Sequence, residues 1–150
     1  METQWVILTI DKVMELLEMN EKVGVANKGP GEISKWVNSG PSWALLIDDK
    51  VAMCGGAIIK EEVGEIWMIP SPVFYKHIKT CIKCCLHILV WGIKHYKVKK
   101  LQALIKEGDK EGRRWAEHFG FSLEKRLESY GPNKENYGLY VREETWQWQV

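Results

Sequence analysis

No stretch of this sequence stays apolar for long enough to cross a bilayer; the most apolar run, Cys81 to Trp91, is broken by Lys83 and His87. Neither sign of charge dominates. Lysine and arginine number 21 against 20 aspartates and glutamates, a net charge of +1, which excludes coating of nucleic acid by bulk electrostatics. Any anion site must be local, and nucleic acid is not an expected partner. Residues 1–22 lack the basic start, long apolar core and small-residue cleavage site of a secretory signal, so a cytoplasmic location is expected. Cysteine is scarce, at 4 residues, and Cys81, Cys84 and Cys85 crowd one segment where helix geometry lets few of them pair. Reduced thiols are expected. His77, Cys81 and Cys84 stand at i, i+4 and i+7 on one helical face, yet no second CxxC or HxxxH closes a tetrahedron. Small buried thiols are therefore expected there, and no metal.

What is present suits one core. The chain has 150 residues, 45% hydrophobic and 27% charged, without repeats or low-complexity segments, so a single domain over 1–150 is expected. Trp5 to Ile10 reads as a strand. Asp11 then reads as an N-cap, with Val13, Leu16 and Leu17 on one helical face. Ile33, Trp36 and Val37 mark a second helix, ended by Gly40 and Pro41. Trp43–Ile47 and Val51–Ile59 follow as strands around Asp48-Asp49-Lys50, with Gly55-Gly56 marking a bulge or a close backbone approach. A fourth strand, Glu65–Ile69, is stopped by Pro70-Ser71-Pro72. From Val73 to about Tyr96 the apolar positions advance at helical spacing. Leu101, Ala103 and Ile105 alternate as a fifth strand, and a helical crossover of that length implies a parallel pair. A helix over Gly108–Phe119 and a hairpin of Phe121–Leu127 with Tyr137–Arg142 complete the order.

This order, an antiparallel meander, a parallel pair around a central helix and a closing hairpin, resembles the GCN5-related N-acetyltransferase (GNAT) fold, an α/β (α+β) class with a mixed sheet. Arg113 to Phe121, an aromatic-rich turn ending in Gly120-Phe121, looks like the family's fourth helix. Tyr130 to Arg142 is similar to the C-terminal hairpin of acetyltransferase-like proteins of tailed bacteriophages, which implies host cytoplasm. The resemblance implies that strands four and five splay apart, that acetyl-CoA is the cofactor and that an amine is the acceptor. It also implies pyrophosphate on backbone amides at the start of the central helix. The family's glycine signature is absent there. The stretch Phe74 to Thr80 holds no glycine, and Pro70 and Pro72 remove two donors.

On the same resemblance, Met68 and Ile69 pair with the pantetheine, and Ser71, Lys76 and His77 face the phosphates. The family's tyrosine acid, four residues before the terminal glycine of the fourth helix, is replaced by Ala116. Glu65 is the candidate general base, or else a strand-end glutamate paired with a lysine. Tyr130 is the substitute acid, or else packs a hairpin. Between Glu65 and Glu107 there is no acidic residue, while eight lysines and three histidines occupy that interval, on phosphate, on a partner or simply on a solvated helix face. Trp146 and Trp148 alternate in a tail over 145–150 and read either as anchors for a second subunit or another protein, or as packing onto their own sheet. Two functions remain open: acetyl transfer to an amine, and a non-catalytic scaffold in virion assembly or host interaction.

Overall fold

The computed structural model describes residues 1–25 and 30–143, so Trp146 and Trp148 lie outside the described residues. Seven strands follow the order β1-β2-β3-β4-β5-β7-β6. Two compact units divide the chain: Met1–Ile58 with Trp67–Cys85, and Ile59–Ile66 with Leu86–Val150.

In the first unit, β1 (Thr3–Ile7) pairs antiparallel with β2 (Ser42–Ile47), and β2 with β3 (Lys50–Lys60). Helix α1 (Ile10–Lys22) is capped by Thr9, whose hydroxyl accepts from the Lys12 amide, and not by Asp11, which falls in the first turn and favours the positive end of the helix. Its buried face is Val13, Leu16, Leu17 and Asn20. With Ile33 of α2 (Pro30–Val37), Ala44, Leu46, Val51 and Cys54 these apolar residues make a core, against which Trp36, Val37, Trp67 and Ile69 pack. Such burial is the main stabilising term. The five tryptophans placed in elements by the sequence (5, 36, 43, 67 and 115) are half-buried and not deeply internal.

The bulge lies elsewhere than at the glycines. Leu45 faces Met53 and Leu46 faces Val51, so Ala52 is the extra residue of β3. Gly56 instead provides the close approach: a β-carbon there would run into the Pro41 carbonyl and Ser42.

The expected central helix is two helices. Ser71 caps α3 (Pro72–Lys76), with Pro72 at the first helical position where its missing N–H costs nothing. His77, at φ −128° and ψ 43°, leaves the helical region, and α4 (Ile78–Tyr96) begins after it. The helix start relevant to an anion therefore lies at Ile78 and not at Val73. Among the described residues no helix is long and apolar enough to cross a membrane.

In the second unit the turn Glu61-Glu62, with both residues at positive φ, leads from β3 into β4 (Val63–Pro70). β5 (Lys100–Lys106) pairs antiparallel with β7 (Tyr137–Glu143), and β7 with β6 (Ser122–Leu127). Helix α5 (Lys110–His118) is capped by Asp109, and Arg142 donates to the Phe119 carbonyl just beyond its end at 2.6 Å.

Candidate active site

Strands β4 and β5 are parallel, as their helical crossover requires, but their ladder is short: Val63 with Lys100, Gly64 with Leu101, Glu65 with Gln102. That rung is the last of the three, although β4 itself runs on to Pro70 and β5 to Lys106. The parallel pair expected from the sequence is present. Leucine, valine and glycine explain where pairing holds, since Leu101 and Val98 pack over Gly64, which has no side chain to obstruct them.

Glu65 occupies the last rung. Its carboxylate accepts a hydrogen bond from the Gln102 amide at 3.0 Å and has no ion-pair partner among the described residues. Among the described residues the lysine partner considered for a strand-end glutamate is absent, and a neutral amide orients the carboxylate. Gln102 was not legible as a site residue; its signal is only that a parallel partner strand places an amide opposite Glu65.

Tyr130 sits in the loop after β6. It is 55% exposed and meets Tyr137 edge-on at 5.6 Å between ring centroids. The loop is held from within: the Ser129 amide donates to Asn136, the Asn133 amide to the Glu135 carboxylate, and the Gly131 amide to the Glu135 carbonyl. Its own backbone amide, joined by the Asn133 amide, pulls the Glu135 carboxyl below its ordinary range. Glu65 and Tyr130 share no hydrogen bond or ring contact among the described residues.

The cofactor-side candidates gather at the other unit's β4 end. Met68 and Ile69 lie in β4, beside β3 and past the three rungs shared with β5. Ser71 does not face outward: it is 1% exposed, its hydroxyl donates to the Val51 carbonyl at 2.7 Å and accepts from the Val73 amide, and its own amide donates to the Ala52 carbonyl. A saturated hydroxyl has nothing left for phosphate, so Ser71 is a structural cap and the expectation for it is corrected. The Phe74 and His77 amides are likewise taken, by the Ser71 and Phe74 carbonyls. The Cys81 amide donates to the His77 carbonyl, so the amides of Ile78, Lys79 and Thr80 make up the first turn, which has no i→i−4 acceptor within α4. Lys76 and Lys79 are exposed beside that turn, and His77 is half-buried. This donor set suits a pyrophosphate: helix amides backed by lysines, with side-chain cations standing where glycines are missing.

Of the lysines between Glu65 and Glu107, Lys99 pairs with Glu62 at 3.4 Å and Lys100 with Glu124 at 3.3 Å. The thiols are inert in character. Cys54, Cys81 and Cys85 are buried, and desolvation pushes each up to about 12, reinforced at Cys54 by the Glu15 charge.

No family model and no curated protein matches the sequence. Solved structures do. The ribosomal-protein-S18-alanine N-acetyltransferase from Escherichia coli superposes with a TM-score of 0.74 at 11% identity, covering 95% of this chain and 94% of its own. The ribosomal-protein-S5-alanine acetyltransferase from Vibrio fischeri gives 0.74 at 11%, covering 100% and 97%. An acetyltransferase of the GNAT family from Streptococcus pneumoniae gives 0.67 at 10%, covering 95% and 99%. The fold of this chain is that of the GNAT acetyltransferases.

Proposed function

We propose that this protein is an N-acetyltransferase that moves an acetyl group from acetyl-CoA to an amine by direct attack. The observation that carries this reading is the ladder of β4 and β5 ending at Glu65, with the carboxylate oriented by Gln102 and, among the described residues, uncompensated by a cation. Acetyl-CoA supplies the activated thioester when bound. The backbone of Met68 and Ile69, past the rungs shared with β5, receives the pantetheine amides, and Lys76, His77 and the first amides of α4 hold the phosphates. Glu65 accepts the proton that the attacking amine gives up. Tyr130, with a phenolic proton on an exposed ring, returns one to the leaving thiolate. The hairpin resemblance supports a phage-encoded protein acting in the host cytoplasm as one domain.

A thermal-shift titration tests this. Acetyl-CoA raises the melting temperature in a concentration-dependent manner, as binding to the native state requires. Glu65→Gln keeps that shift and lowers turnover of a broad amine panel by about 10²–10⁴-fold, the usual contribution of a general base. An equal rate in Glu65→Gln removes Glu65 from the chemistry.

One observation favours a second reading. The amides of Ser71, Val73 and Phe74 are spent inside the protein and Pro70 and Pro72 have none, which suits a scaffold that kept the fold and lost the cofactor. No shift at millimolar acetyl-CoA selects that reading.

A further inference from the structure

The turn from β4 into α3 is held by helix α1, through contacts made before any ligand arrives. The bulge at Ala52 leaves that residue without a partner on β2, and bulges re-aim the backbone around them. Beside it, the Val51 amide donates to the Glu15 carboxylate of α1 at 2.9 Å, while the Val51 carbonyl accepts from the Ser71 hydroxyl. The Ser71 hydroxyl in turn accepts from the Val73 amide in the first turn of α3. A chain of hydrogen bonds therefore leads from the α1 carboxylate, through the two peptide groups flanking Val51 of β3, to the start of α3. A second link is independent of the first. Asn20 of α1, 3% exposed, donates from its side-chain nitrogen to the Pro70 carbonyl at 3.2 Å. Proline at 70 and 72 makes these links matter more, because two of the four residues in 70–73 have no amide with which to anchor the turn.

We infer that Glu15 and Asn20 are positioning residues for the anion-binding end of the protein: through Val51, Ser71 and Pro70 they fix the turn whose far end delivers Lys76, His77 and the first amides of α4. The inference rests on the cofactor reading above for the identity of the anion, and stands on geometry alone for the turn. Neither residue touches ligand. They act because a displaced α1 would release the Pro70 and Val51 contacts together, and because binding to a turn already held costs less ordering entropy.

The test compares Glu15→Ala with Glu15→Gln, whose carbonyl oxygen still accepts from the Val51 amide, and adds Asn20→Asp, which has no donor for Pro70. Ser71→Ala, which breaks the same chain at its other end, replaces any variant that fails to fold. Two readouts are taken: amide exchange at Val73 and Phe74 without ligand, and the acetyl-CoA dissociation constant. Glu15→Ala and Asn20→Asp speed exchange at both amides and weaken acetyl-CoA about tenfold, equivalent to ~1.4 kcal/mol, while Glu15→Gln stays near wild type in both. A lower melting temperature with unchanged exchange and unchanged affinity would make the contacts merely structural and overturn the inference. If wild type itself ignores acetyl-CoA, the cofactor reading fails, and exchange at Val73 and Phe74 alone decides whether α1 holds the turn.

Discussion

The two units of this chain are stabilised by different means. Among the described residues, every side chain buried to below 2% exposure lies in the first unit, among them Phe74, Leu16, Ile33, Leu45 and Cys81, together with the hydroxyl of Ser71. Among the described hydrophobic residues of the second unit the deepest is Phe121 at 3%, all of β6 but Leu127 is exposed, and ion pairs such as Arg126 with Glu107 and Lys100 with Glu124 run over the surface. Exposed pairs contribute little, whereas a buried polar chain such as Glu15, Val51, Ser71 requires every member to stay satisfied. The first unit is thus the part that tolerates least, and it holds the end assigned to phosphate. The second offers Glu65 and an exposed tyrosine on a framework that can change its surface freely.

Paired truncations would break this comparison most directly. Phe74→Ala, at 0% exposure, costs about 3–5 kcal/mol in a urea melt, while Leu123→Ala on β6, at 56% exposure, stays within about 0.5 kcal/mol. Similar losses at both positions would erase the distinction.

Alkali is the next lever. The thiols of Cys54, Cys81 and Cys85 ionise near 9 in the unfolded chain and are raised to about 12 in the folded one, so above pH 9 the unfolded state gives up protons that the native state keeps. Stability from this source is complete below pH 9 and lost as pH rises toward 12. In a thiol-reagent assay at neutral pH, half-buried Cys84 reacts first and the other three only after denaturation. Fast reaction at Cys54 or Cys81 would contradict the packing of the first unit.

Within the second unit, Arg142→Ala sharpens the picture. It leaves the Phe119 carbonyl without its guanidinium donor and costs about 1–3 kcal/mol, with faster amide exchange in Phe119 to Phe121 as the local signature. A loss spread evenly over both units would mean that Arg142 does more than close α5.

Much of this was legible in the sequence, for identifiable reasons. Helical spacing from Ile78 to Tyr96, the crossover length and the alternation in Leu101, Ala103 and Ile105 are long, periodic signals, and they placed the parallel pair correctly. The break at His77 was not legible, because no glycine marks it; a histidine in an unusual backbone conformation has no compositional trace. Thr9 displaced Asp11 as the α1 cap because either residue type can cap and only the chain path decides. Gly55-Gly56 signals a bulge or a close approach; Gly56 makes the close approach, while the bulge falls at Ala52, since register depends on the facing strand. At the site, Glu65 was visible and its orienting partner Gln102 was not. Asn20 did leave a trace: it continues the apolar spacing of Val13, Leu16 and Leu17, and a polar residue on such a stripe needs a buried partner, here the Pro70 carbonyl.

The most direct test of the account is an amide NMR titration of the full chain with coenzyme A. The account predicts shifts concentrated in Trp67 to Ile69 and in Ile78 to Thr80, with Ser71 and Val73 nearly still because their donors are already engaged. Shifts confined to any other part of the chain, or none at millimolar coenzyme A, would contradict it.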